Sequence, residues 1–179
     1  MQSDSTNMEA MRPPKSQLRA QSLRAARLAA VQAVYSHKIG NHRLDDLLRH
    51  GKTKPFTAEL QYDDGVDDEY YKDEMPDSIL ADYPHFKKLL QKTLLDWQSL
   101  SDILHEALEQ SGFDGYVPER ETLLLSIIMV GVCELTMGKK EHGVRLVNEY
   151  VTIAGGFYSD KEAGLVNHIL EILRNHSFK

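Results

Sequence analysis

Between Arg12 and Arg27 the chain carries five basic side chains, Arg12, Lys15, Arg19, Arg24 and Arg27, and no acid. Guanidinium forks pair with phosphate or stack on bases. Arg24 and Arg27 are three residues apart and share a helix face, which Val31 and Tyr35 extend by further turns. An aromatic such as Tyr35 offers a nucleobase a π-face, worth about 1–3 kcal/mol in single-strand sites. The pattern points to single-stranded nucleic acid. The competing reading is that these arginines solvate the outside of a helix or meet acids from the acidic loop further along the chain. Positive charge near a helix N-terminus opposes the helix dipole, which favours a ligand or an acidic partner there.

Other chemistry finds little support. The eight histidines are scattered and none makes an HExxH pair. His105 and Glu106 adjoin, but adjacent helix residues do not share a face. Neither a phosphate-cradling glycine loop nor a Gly-x-Ser-x-Gly elbow occurs. Cys133, the single cysteine, lies in the most apolar stretch and reads as a small buried hydrophobe. One cysteine also excludes an internal disulfide and a cysteine-rich zinc site. Asp63, Asp64, Asp67, Asp68 and Glu69 form an acid cluster without the glycine and glutamate spacing of a calcium loop, and read as a solvated loop. The expectation is a protein that is not an enzyme, with no catalytic residue, cofactor or metal.

The elements that must position the basic stretch follow from the rest of the chain. The protein has 179 residues, 41% hydrophobic content and a net charge of −6, enough for a cored domain and too acidic for a uniformly basic nucleic-acid binder. The apolar run Leu123 to Cys133 is too short to span a bilayer, and no secretory signal is visible, so the chain reads as cytoplasmic. Residues 1–16 read as a flexible tail and 17–176 as a single domain. A first helix fits 17–37, where Leu23, Ala26, Ala30 and Val34 step at helical spacing and five alanines between Arg24 and Tyr35 admit a close neighbour. Gly40-Asn41 should end it, with a short helix over 44–49 following. A long acidic loop occupies about 52–78.

Helical signals return at Asp82, which can cap, with Pro84 in the first turn. The apolar stripe Phe86, Leu89, Leu90, Thr93, Leu94, Trp97 continues through Leu100, Ile103, Leu104 and Leu108, after a break near Ser99. Gly112 and Gly115 stop it. A helix from Pro118 to Met137, apolar on most sides, should be central, with Gly138 as C-cap. Helices over 142–154 and from a Ser159 to Glu162 capping box to about 175 complete the chain. The fold class is therefore all-α, six or seven helices with no convincing strand.

Three ordered motifs carry a resemblance. Ala30-Val31-Gln32-Ala33-Val34-Tyr35, preceded by Arg24 and Arg27, resembles the N-terminal helix of the NusB family of bacterial transcription antitermination factors. Glu134-Leu135 is similar to that family's Tyr-Glu-Leu, with Cys133 in place of the tyrosine. Val147-Asn148-Glu149 and Leu165-Val166-Asn167 resemble its Ile-Asn-Glu and Phe-Val-Asn-Gly helices, and the Asn148-Glu149-Tyr150-Val151 version is most like alphaproteobacterial members. The resemblance covers about residues 18–174. It implies a bundle of about seven helices in two packed three-helix units. It also implies binding of boxA-type RNA together with ribosomal protein S10, joined to NusA, NusG and RNA polymerase, chiefly at ribosomal RNA operons. By similarity Lys15, Arg19, Arg24, Arg27, Gln32 and Tyr35 would be the RNA-binding residues, with Gln32 also open to a structural role. Asn148, Glu149 and Asn167 would be structural, bridging helix ends and loops through hydrogen bonds.

The departures from the family pattern are specific. Leu23 and Ala25 stand where additional basic residues are common, which shifts RNA contact towards Lys15, Arg19 and the tail. His168 replaces a glycine, Met129 an arginine, and Lys92-Thr93 a Gly-Val pair. Lys139-Lys140 stands near the place of an Asp-x-Pro. The alternative function is a non-enzymatic scaffold that binds ribosomal protein S10 with little sequence-specific RNA binding.

Overall fold

In the computed structural model the first helix, α1, runs Lys15–Gly40, longer at both ends than expected. The structure describes residues 15–53, 57–58, 79–113, 115, 118, 120–138 and 142–176. Alanine makes α1 a strong helix former and a thin one. Ala25, Ala26, Ala29, Ala30 and Ala33 are all buried with Val31 and Val34. The helix ends where Asn41 takes φ +54° and donates its N–H to the His37 carbonyl. Asn41 therefore supplies the left-handed residue, and Gly40 stays helical. Asparagine tolerates this conformation better than most residues.

The second helix, α2, spans Leu44–Thr53, beyond the expected end at 49. The acid cluster and most of the acidic loop lie outside the described residues. At the loop's ends Thr57–Ala58 (β1) and Ile79–Leu80 (β2) pair antiparallel, Thr57 opposite Leu80 and Ala58 opposite Ile79. This two-residue pairing, which hydrophobic periodicity is too coarse to detect, lies beside α1. There Ser22 Oγ donates to the Leu80 carbonyl at 2.7 Å, and the Asp82 N–H donates to the Ser22 carbonyl at 3.1 Å.

Helix α3, Tyr83–Leu95, is capped as expected, with Asp82 Oδ1 accepting the His85 N–H at 2.8 Å and Pro84 in the first turn. The break before α4, Trp97–Gln110, falls at Asp96 rather than Ser99. Lys38, near the end of α1, sits 3.5 Å above the Trp97 ring, a cation–π contact that ties α1 to this elbow. Gly112 takes φ +70° after α4, which supports its expected role as a stop.

The central helix α5 starts at Thr122, four residues later than Pro118, and ends at Met137. Its residues from Ser126 to Leu135 are all buried. Gly138 is its C-cap, in extended rather than left-handed conformation, and a Cβ there would meet the Glu134 carbonyl and Leu146 at 3.2 Å. Helices α6, Gly143–Gly155, and α7, Asp160–His176, close the chain. Ser159 Oγ donates to the Glu162 carboxylate, so the expected box residues meet at the start of α7.

These seven helices make an all-α bundle organised about α5, which contacts α1, α3, α4, α6 and α7. Helix α1 lies against α3 and α5, while α7 lies against α6, α5 and α4. The unusual residues fit this frame. Met129 is 1% exposed and fills the core, and Thr93 is fully buried. His168 points outward, its ring 5.5 Å from that of Phe113. No described helix is long and apolar enough to cross a membrane.

Candidate nucleic-acid interface

Successive residues of an α-helix are separated by about 100° of rotation. On α1 that rotation separates the residues expected to act together. Gln17, Gln21, Arg24, Leu28, Gln32 and Tyr35 follow one another at three- and four-residue steps along the outward stripe. Arg24 and Gln32 are exposed, and Leu28 and Tyr35 half-buried. Lys15 and Arg19 are exposed too, but their angular positions lie on the side that further along the helix turns into the core. They are solvated because they precede the first buried residue, Ala25.

Arg27 is placed differently from its expected position on an RNA-facing side. It is 8% exposed, and Val31, expected to extend the same side, is fully buried. The Arg27 guanidinium meets Glu134 of α5 through two parallel bonds, Nε to Oε2 and Nη2 to Oε1, both 2.8 Å. Tyr150 of α6 donates its hydroxyl to Glu134 Oε2 at 2.6 Å, and His85 of α3 places Nε2 3.1 Å from Oε1. Against an ionised carboxylate that ring nitrogen must carry its proton. One carboxylate thus joins α1, α3, α5 and α6.

Burial alone would raise the Glu134 pKa. The bonds from His85, Arg27 and Tyr150 reverse that and bring it to about 2. Burial likewise opposes the charge on Arg27, and the bond from Glu134 restores it, leaving its pKa raised. The buried Tyr150 hydroxyl is pushed well above its ordinary value by burial and then by Glu134. This cluster has the composition of a fixed internal ion pair rather than of a ligand site.

Arg24 holds a second carboxylate nearer the surface. Its Nε and Nη2 donate to Glu149 Oε2 and Oε1 of α6 at 2.9 and 3.0 Å. Arg27 Nη1 lies 3.7 Å from the same carboxylate. The Arg24 side chain remains 52% exposed while that of Glu149 is 10% exposed. Its pKa is raised chiefly by the hydrogen bond to Glu149. Arg24 therefore has one edge of its fork anchored and guanidinium surface left to solvent.

Of the motif residues on α6 and α7, Asn148 and Asn167 are exposed and Glu149 is buried. In the turn between these helices burial raises the Tyr158 pKa, with the Glu121 charge next and a smaller contribution from Tyr35 of α1. Lys139 and Lys140 lie outside the described residues. Among the described residues no group of His, Cys, Asp and Glu is arranged to hold a metal ion. Cys133 is fully buried, and burial raises its thiol pKa, as suits a core residue.

The partners of the arginines were the part of the site least visible in the motif. The available signal was chemical: Glu134 is the acid within the most apolar helix, and a carboxylate in such a place needs a cation or donors.

Comparison with known proteins agrees with this frame. The model of the NusB family matches residues 24–174. A protein of Bradyrhizobium sp. (strain BTAi1 / ATCC BAA-1182) named transcription antitermination protein NusB is 31% identical over 150 residues, covering 83% of this chain and 79% of its own. Proteins of the same name are 29% identical in Sinorhizobium fredii, with 82% of each chain covered, and 27% identical in Rickettsia bellii (strain OSU 85-389), with 82% of this chain and 85% of that one covered. With its motifs borne on α1, α5, α6 and α7 and the matched region reaching from Arg24 to Arg174, this chain belongs to the NusB family.

Proposed function

We propose that this protein is an RNA-binding adaptor in transcription antitermination, working in the cytoplasm without a cofactor. The observation that carries the reading is the outward stripe of α1, where Arg24, Gln32 and Tyr35 offer a cation, an amide and an aromatic ring along one edge. These are the groups that single-stranded RNA engages through phosphate, base edge and stacking. Lys15 and Arg19 extend the positive charge beyond the bundle. The RNA is a boxA-type single strand, bound together with ribosomal protein S10, and the pair joins NusA, NusG and RNA polymerase, chiefly at ribosomal RNA operons. The names of the proteins that this chain resembles support the antitermination part of this reading.

A net charge of −6 and the pairing of Arg24 with Glu149 limit the free positive charge. The RNA platform therefore relies on ribosomal protein S10 for completion. Fluorescence anisotropy with a boxA-type strand and a scrambled strand, each with and without cognate S10, tests the assignment. The expected outcome is sequence-selective binding that S10 strengthens and salt weakens. A stable S10 complex with equal, weak affinity for both strands would replace it with a protein scaffold.

A further inference from the structure

The Glu149 carboxylate marks a seam between two exposed helix edges. On α6, Leu146, Val147, Tyr150, Ile153 and Ala154 turn into the core, and Arg145, Asn148 and Thr152 are exposed. Glu149 lies at the border of these faces, and Arg145 precedes it by four residues, one helical turn. Residues at this spacing are surface neighbours, about 5–6 Å apart at Cβ. From the other side Arg24 of α1 reaches the same carboxylate at 2.9 Å. Arg24 thus holds the acid from α1, and Arg145 stands one turn away from it on α6.

The charges are layered. Glu134 and Glu149 are buried, as is Arg27, whereas Arg145 is exposed and the Arg24 side chain is half exposed. Among the described residues Arg24, Arg27 and Arg145 outnumber the two carboxylates, and two of these cations, Arg24 and Arg145, form the outer layer. Both Glu149 oxygens already accept bonds from Arg24, and Arg27 stands 3.7 Å away. Arg145 is thus an exposed cation at this seam; burial pushes the Glu149 carboxyl up, and the bond and charge of Arg24, with lesser help from the Arg27 and Arg145 charges, hold it below its usual range. None of the recognised motifs includes Arg145.

We propose that Arg145 and Arg24 form a two-arginine site for the phosphate backbone of the bound RNA strand, with Glu149 as the positioning residue that anchors Arg24. The site carries the RNA path from the stripe of α1 onto the exposed edge of α6, beside Asn148. It rests on the RNA-binding reading above. Phosphate contacts fix register and orientation and carry no sequence information. Arg145 should therefore contribute equally to any strand of the same length.

The test is Arg145→Ala and Arg145→Lys in the full chain, with anisotropy on a boxA-type strand and a scrambled strand across a salt series. Loss of one single-strand phosphate contact lowers the slope of log affinity against log salt by about 0.7, or about fivefold in affinity near 0.1 M salt. Arg145→Ala should show both changes on both strands, and Arg145→Lys, which keeps the charge, should keep the slope. Circular dichroism and the unfolding midpoint should stay at wild-type values, since the side chain is exposed. If the wild type binds and Arg145→Ala matches it in affinity and slope, the two-arginine site is wrong and the RNA assignment stands. If the wild type binds neither strand at any salt, with or without ribosomal protein S10, both fall.

Discussion

Arg27 and Glu134 lie 107 residues apart and meet edge to edge inside the bundle, through two bonds of 2.8 Å. The carboxylate also takes the Tyr150 hydroxyl, so its lone pairs are directed at α1 and α6 together. Removing the cation would leave a buried, uncompensated carboxylate. Breaking a buried pair from one side costs about 3–5 kcal/mol. Arg27→Ala should therefore lower the unfolding midpoint sharply, which differs from the helix-sparing loss of RNA affinity that a solvent-facing Arg27 would give. Arg27→Lys should rescue little, because an ammonium cannot reproduce the bidentate fork. Thermal melts by circular dichroism decide this, and wild-type melts for Arg27→Ala would refute it.

Acid should act through the same carboxylate. The Glu134 pKa falls from an ordinary 4.5 to about 2 in the folded protein. A depressed folded pKa contributes stability that is fully present above the unfolded value and is lost as pH falls through the folded one. The window therefore runs from about pH 4.5 down to about 2. The difference corresponds to about 3 kcal/mol, to order of magnitude. Denaturant unfolding at a series of pH values should show stability falling through that window. Glu134→Gln should be less stable near neutrality and flatter on the acid limb. An identical acid limb would place the titration elsewhere.

The contrast between Arg24 and Arg27 explains what could be read in advance. Asp82 and the Ser159 to Glu162 box act over three residues, so their helix starts were legible from local chemistry. The break at Asp96 and the start of α5 at Thr122 were not, because the apolar stripes run through them. In α1 the inner face is built largely of alanines, whose weak hydrophobicity lowers the apolar-to-polar contrast that would mark it. Three residues, or about 300° of rotation, then separate a half-exposed arginine from a buried one, and only the positions of α5 and α6 decide which is which. The family motif identified the helix; the division of labour within it needed Glu134 and Glu149 in three dimensions.

The outward stripe of α1 can be tested residue by residue. Tyr35→Ala should lose a stacking surface worth about 1–3 kcal/mol, which is roughly 5- to 150-fold in affinity. Tyr35→Phe should retain most of it. Arg24→Ala should weaken binding to boxA-type and scrambled strands alike, with a smaller loss of stability than Arg27→Ala, because its side chain is 52% exposed. Anisotropy titrations with parallel melts separate the two effects. If Tyr35→Phe loses as much affinity as Tyr35→Ala, the hydroxyl rather than the ring makes the contact.

The packing around α5 gives a prediction that leaves RNA aside. A Cβ on Gly131 would stand 2.9 Å from Leu170 Cδ1 and 3.3 Å from Tyr150 Cγ. Leu170 and Tyr150 are both fully buried, and Tyr150 is held by its bond to Glu134, so the leucine must move for both. Overpacking of this kind costs about 1–3 kcal/mol, and the better helix propensity of alanine returns up to about 1 kcal/mol of it. Gly131→Ala should therefore lower the unfolding midpoint by a few degrees, at about 2–4 °C per kcal/mol for a chain of this size. The diagnostic is coupling. In a Leu170→Ala background, which is itself destabilised, the added methyl should cost nothing or gain stability, because it enters the space that the leucine vacates. Equal effects of Gly131→Ala in both backgrounds would mean that the backbone, not Leu170, sets the limit on the approach of α5 to α7.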